Sequence, residues 1–146
     1  MTKRRAFDLD TKVIGALPLV NHFLDRLRFE HFLSHHLAAP DPRATLAPLK
    51  ALGVLVRNLV VARVPIYGVE EWVTDRVPAL LHIASEEVVR LNDDRIGRAL
   101  DHLFDADRRA LLTELVVHMA QEFEVSFEQL HNDSTTLTLH GERRHR

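Results

Sequence analysis

The amino-acid pattern predicts a mainly α protein, a compact bundle of about six helices followed by one C-terminal β-strand. Apolar residues recur at three- and four-residue spacing through residues 17–123, the period of a helix face. The pattern then changes to Leu130-His131-Asn132-Asp133-Ser134-Thr135-Thr136-Leu137-Thr138-Leu139, a run rich in Thr and Leu that favours extended backbone. With 146 residues and 46% hydrophobic composition, the chain suffices for one ordinary core, or for one core and a stub of a second domain.

Taken in order, the first helix opens near Pro18, which suits a first turn, and carries Leu19, Phe23, Leu24 and Leu27 on one stripe. A break near Arg28 precedes a second stripe of Phe29, Phe32, Leu33 and Leu37. Pro40-Asp41-Pro42 ends this pair, because proline disfavours helix in the residue before it. From about Pro48 to Val61, Leu49, Leu52, Leu55, Val56, Leu59 and Val60 make a helix apolar nearly all round, which places it at the centre of the bundle. Gly53 within it would allow a close helix crossing. Pro65-Ile66-Tyr67-Gly68 is a turn, and a short helix with Val69, Trp72 and Val73 follows until Pro78 breaks it. Ala79 to Ile83 are apolar but too short to classify. Asn92 is a good N-cap, with Asp93 and Asp94 placed to favour the helix dipole. Its helix carries Ile96, Leu100, Leu103 and Phe104 on one face. Asp105 caps the last helix, whose buried stripe reads Leu111, Leu112, Leu115, Val116 and Met119. The strand at about 129–139 would leave its backbone and its Leu137 and Leu139 on an unpaired edge, so it reads as the opening of a sheet.

Composition excludes some classes of function. Zero cysteines remove disulfides and thiolate metal sites and fit a reducing cytoplasm, the expected location. No apolar run approaches the ~20 residues of a membrane span, and Phe7-Asp8-Leu9-Asp10 after the basic N-terminus is no secretory core. Charge is uneven: residues 1–63 hold ten Lys/Arg against five Asp/Glu, and residues 64–146 hold nine against sixteen. A basic first half suits phosphate contact through counterion release, although an unevenly charged helical bundle shows the same imbalance.

Four segments together resemble the helical domain of unknown function at the N-terminus of DDE-type insertion-sequence transposases. They are Ile14-Gly15-Ala16-Leu17-Pro18-Leu19-Val20, Arg57-Asn58-Leu59, Pro65-Ile66-Tyr67-Gly68 and Leu91-Asn92-Asp93-Asp94-Arg95-Ile96-Gly97-Arg98-Ala99-Leu100-Asp101. His131-Asn132-Asp133-Ser134-Thr135-Thr136 then resembles the first strand of the RNase H-like catalytic domain of that family. The resemblance implies a helical transposase domain over residues 1–128 and the start of an RNase H-like sheet over 129–146. It further implies that Asp133 is the first acid of an Asp-Asp-Glu triad. In the intact enzyme that triad holds two Mg2+ or Mn2+ ions, which activate the attacking oxygen and stabilise the leaving one. The resemblance places the second Asp and the Glu on later strands and helices, whereas the sequence here ends in Glu142-Arg143-Arg144-His145-Arg146. The triad is therefore expected to be incomplete and the chain inactive alone, without a cofactor of its own.

Other candidates have plainer readings beside the functional ones. Asp133 within Asn-Asp-Ser-Thr is also good turn chemistry. His31, His35 and His36 invite a metal reading because residues four apart share a helix face, yet zinc wants three or four ligands and no carboxylate or third ligand is placed by sequence. Asp93 and Asp94 are explained by the helix N-terminus rather than by acid–base work. Trp72 and Tyr67 would suit base stacking, but Trp72 between Val69 and Val73 reads as core. For DNA the candidate contacts are Lys3, Arg4, Arg5, Lys12, Arg43 and Lys50, with Arg26, Arg28 and Arg63 further possibilities. Arg57 lies in the most apolar helix and is expected to cap or pair internally. No recognition-helix signature is present.

The expected function is that of a truncated N-terminal transposase fragment, which in the intact protein binds transposon DNA ends or assembles the transposase as a homo-oligomer. The alternative is a free-standing helical DNA-binding or interaction protein that regulates a full-length transposase. Neither reading involves a membrane.

Overall fold

The computed structural model describes residues 11–39 and 44–126. Over these, the chain forms helices α1 (Leu17–Arg26), α2 (Phe29–His36), α3 (Pro48–Val61), α4 (Val69–Thr74), α5 (Asp93–Asp105) and α6 (Arg108–Glu122). Short 3-10 turns at Ile66–Gly68, Pro78–Leu81 and Ser85–Arg90 join them. The region predicted as strand lies outside the described residues. Among those described, the one β-type contact is an isolated parallel bridge between Val13 and Arg76, in which Val13 N donates to Asp75 O at 2.8 Å.

The predicted breaks have physical causes. Arg28 adopts the left-handed conformation (φ 50°) and divides α1 from α2, which turns one amphipathic pattern into two short helices. Proline falls in the first turn of both α1 and α3, where its missing N–H is no loss. At the far end of α3, Asn58 is a clasp. Its carbonyl accepts from Ala62 N and Arg63 N, its Oδ1 accepts from Val64 N at 3.1 Å, and its Nδ2 donates to Val64 O at 2.8 Å. Every polar group of Asn58 is thus bonded, which allows it full burial in the reversal leading to α4.

α3 occupies the centre, packed most extensively on α5 and touching α1 and α2. Ala51, Leu52, Val54 and Leu55 of α3 join Leu17, Leu33, Val69, Val73, Leu81, Leu91, Ile96 and Ala99 in one core. Each fully buried Leu or Ile contributes about 1.5–3 kcal/mol relative to exposure, so this cluster is the main cohesive element. Trp72 lies in it, as expected of a core residue, while Tyr67 is exposed.

Two sequence expectations change, and one segment without a sequence reading takes a defined form. α6 is capped by Asp107, whose Oδ1 accepts from Ala110 N at 2.9 Å; Asp105 ends α5, and extended Ala106 makes the elbow. The segment Ser85–Arg90, which carried no sequence signal, forms a 3-10 turn pinned by Ala84 N donating to Glu87 Oε2 at 2.7 Å. Of the predicted α6 stripe, Leu111 is buried but Leu112 and Val116 are exposed. The stripe is thus divided: Leu111 enters the core, while polar side chains along the edge of α6 make the other contacts with the bundle. His36 Nε2 reaches Glu114 at 3.0 Å, His118 Nε2 donates to Arg26 O at 3.0 Å, and Arg26 Nε donates to Glu122 at 2.8 Å. No single helix among the described residues is long and apolar enough to cross a membrane.

Candidate functional site

The pair Arg57-Asn58 carried part of the family resemblance, and the structure gives both residues structural roles. Arg57 is fully buried (0% exposed) in the interior of α3. Its Nε donates to Asn21 Oδ1 at 2.8 Å, Nη1 to Gly53 O at 3.1 Å and Nη2 to Glu30 Oε1 at 3.2 Å. Glu30 Oε1 also accepts from His82 Nδ1 at 2.7 Å, and Asn21 Nδ2 donates to Leu80 O at 2.9 Å. One guanidinium therefore ties α1, α2, α3 and the Pro78–Leu81 turn. A buried charge is tolerated only when paired and bonded in this way. Gly53 has a different purpose from the helix crossing expected of it: a Cβ there would stand 3.0 Å from Arg57 Nη1, so the missing methyl is the space the guanidinium occupies.

Of the cations predicted to meet DNA, Lys3, Arg4, Arg5 and Arg43 lie outside the described residues, as does Asp133. Lys12 Nζ donates to Thr74 O at 2.9 Å. Lys50 Nζ grips both oxygens of Glu87, at 2.8 and 2.7 Å. Burial pushes the Glu87 carboxyl up, but the Lys50 ammonium, the Ala84 N–H and the Arg90 charge together outweigh it and hold the carboxyl below its ordinary value. Arg26 pairs with Glu122 and lies 4.4 Å over the Phe123 ring. Arg28 and Arg63 are exposed and both take positive φ at helix boundaries.

The histidines are not brought together as ligands. His36 bonds Glu114, while exposed His31 packs edge-on against Phe32. Among the described residues no group of three or more His, Asp or Glu is placed to hold a metal ion, so no metal step is assigned to them. Asp93 and Asp94 sit in the first turn of α5 behind Asn92, whose Oδ1 accepts from Arg95 N at 3.0 Å.

Sequence reasoning missed an exposed apolar face. Leu112, Val116, Met119 and Phe123 recur four, three and four residues apart, which aligns them along one side of α6. Leu112 is 59% and Val116 43% exposed. At one end, Arg108 lies 4.3 Å over the ring of Phe104, which is 65% exposed at the close of α5. At the other, the Phe123 ring meets Phe23 of α1 at 6.1 Å, and Leu19, one turn before Phe23, is 61% exposed. The signal was present in the sequence, but an apolar stripe does not say whether its own chain covers it.

Comparison with curated proteins and with solved structures gives no match. Residues 9–117 match a family described as a domain of unknown function, DUF4277. That span takes in α1 to α5, the Arg57 network and most of α6, so the chain belongs to the DUF4277 family.

Proposed function

We propose that this domain is the helical N-terminal part of a DDE-type transposase and that it works in assembly, joining copies of the enzyme through the apolar face of α6. The observation that carries the reading is the stripe Leu112-Val116-Phe123, extended by Phe104 at one end and by Phe23 and Leu19 at the other. Exposed apolar side chains recurring along one side of a helix, with arginines at both ends, are the ordinary mark of a protein interface. Lys50 and Arg26 are held in ion pairs and Arg57 is buried, which favours assembly over DNA-end binding as the main task of α1 to α6. In the intact enzyme Asp133 would supply the first acid of the triad, and Mg2+ or Mn2+ would activate and stabilise the reacting oxygens there.

The test is sedimentation equilibrium of the chain with and without Leu112→Glu plus Val116→Glu. Self-association is expected, weakened by the paired substitution by tenfold or more, which corresponds to about 1.4 kcal/mol or more, with an unchanged helical circular-dichroism spectrum. A wild-type chain that stays monomeric at high concentration would sink the reading. So would specific binding to element ends with the strength unaltered by these substitutions in a monomeric protein.

A further inference from the structure

A cavity of about 300 Å³ opens between the start of α3 and one side of α5. Thr45, Leu46 and Pro48 form one wall, and Arg95, Arg98 and His102 project from the other. Those three recur at three- and four-residue spacing, so helix geometry alone turns them to the same side. Among the described residues no carboxylate lines it. Arg95 sits half-buried, and among the described residues no acid pairs with its guanidinium. The Arg95 guanidinium thus faces a concave space without an acid partner among the described residues, with Arg98 and His102 beside it. We propose that this cavity binds a phosphate group, held by Arg95 and Arg98 with His102 beside them.

The chemistry selects phosphate. A guanidinium offers a planar fork of N–H donors that matches two oxygens of a tetrahedral oxyanion, and two forks on one face engage separate oxygen pairs. The volume is ample for a phosphate with part of its ester. One competitor is visible: Asp94 Oδ2 accepts from Arg98 Nη2 at 2.5 Å. Both partners of that pair are mostly exposed, and such i,i+4 pairs are weak, so an entering phosphate displaces Asp94 from Arg98. The start of α3, whose first turn carries no acid and no side-chain cap, adds a positive field on the opposite wall. The site is separate from the α6 face and stands whether or not that face joins copies.

The ester belongs either to a nucleic-acid backbone or to a free phosphate compound, and the experiment separates the two. Inorganic phosphate is titrated into the chain while amide shifts of α5 are followed by NMR. Saturable shifts around Arg95 and Arg98 are expected, and Arg95→Gln with Arg98→Gln should weaken binding by about tenfold or more at an unchanged melting temperature. Asp94→Asn, which removes the competitor, should tighten it. A short DNA duplex is then added: displacement of phosphate, with a salt slope reduced by about one in each single Arg variant, assigns the site to the DNA backbone. Phosphate binding that duplex DNA leaves untouched assigns it to a free phosphate compound. If wild-type protein shows no saturable shift with phosphate and the arginine variants bind DNA as wild type does, the proposal fails. Tightening absent in the Asp94→Asn protein would also count against it.

Discussion

Arg57 and Gly53 are best understood as one unit. Alanine is the better helix former by about 1 kcal/mol, so Gly53→Ala in an ordinary helix interior would stabilise. Here the new methyl meets Arg57 Nη1 at 3.0 Å, and Arg57, held by Asn21, Gly53 and Glu30 within the core, has no room to withdraw. Gly53→Ala is therefore expected to lower the melting temperature, whereas in an Arg57→Met background the same change should be neutral or stabilising. Thermal denaturation of the four proteins of this cycle checks it; additive effects would show that the two residues are independent. The helix-crossing role expected for this glycine rested on its type alone. What a missing methyl makes room for depends on the residue one turn later and on a carboxylate from α2, which no local pattern shows.

At the scale of the element, the end of α6 carries a conspicuous local strain. Glu124 takes φ 51° just past the helix while Val125 N donates to Ala120 O at 2.9 Å, the hydrogen bond of a left-handed helix terminus. Glycine is the residue suited to that position, so Glu124→Gly should stabilise the protein by up to about 1 kcal/mol, measured as a shift in denaturation midpoint at constant slope. The helices themselves were largely legible in the sequence. Pro48 to Val61 was read with its observed limits, and the break at Arg28 and the cap at Asn92 stand where local chemistry put them. The errors arose where tertiary context decides. Asp105 and Asp107 are equally good caps by type, and which one serves depends on the extended Ala106 between them. Leu112 and Val116 follow the same period as buried Leu111, and the direction from which α2 approaches leaves them outside. Much of the candidate site was hidden for the same reason: Arg95 and Arg98 stand in a segment that resembles the family, but only the packing of Thr45 and Pro48 on the opposite wall makes a cavity of them.

At the scale of the whole molecule, the Lys50–Glu87 pair fastens the central helix to the otherwise weakly specified Ser85–Arg90 turn. The folded carboxyl of Glu87 lies below its ordinary value. Its contribution is therefore fully present above the unfolded glutamate range, near pH 4.3, and is lost as pH falls through the lower folded value. Because Lys50 is partly solvated, the pair is worth less than about 1 kcal/mol. Denaturation midpoints from neutral pH down to about pH 3 should decline less steeply for Glu87→Gln than for the wild type, the two curves converging at the acid end. Parallel curves would remove Glu87 from the account.

The way α6 is attached has a consequence in time. It adds one buried residue, Leu111, and is otherwise held by a histidine–carboxylate contact, an arginine pair, a histidine–carbonyl bond and a ring contact. Such bonds are easily exchanged for water, so α6 is the segment with the least to lose by swinging out about the Ala106–Asp107 elbow while α1 to α5 stay folded. Its amide protons would then exchange with solvent ahead of those in α3. A helix that detaches cheaply is also one that two chains are able to trade, each donating its own to the other's vacant edge.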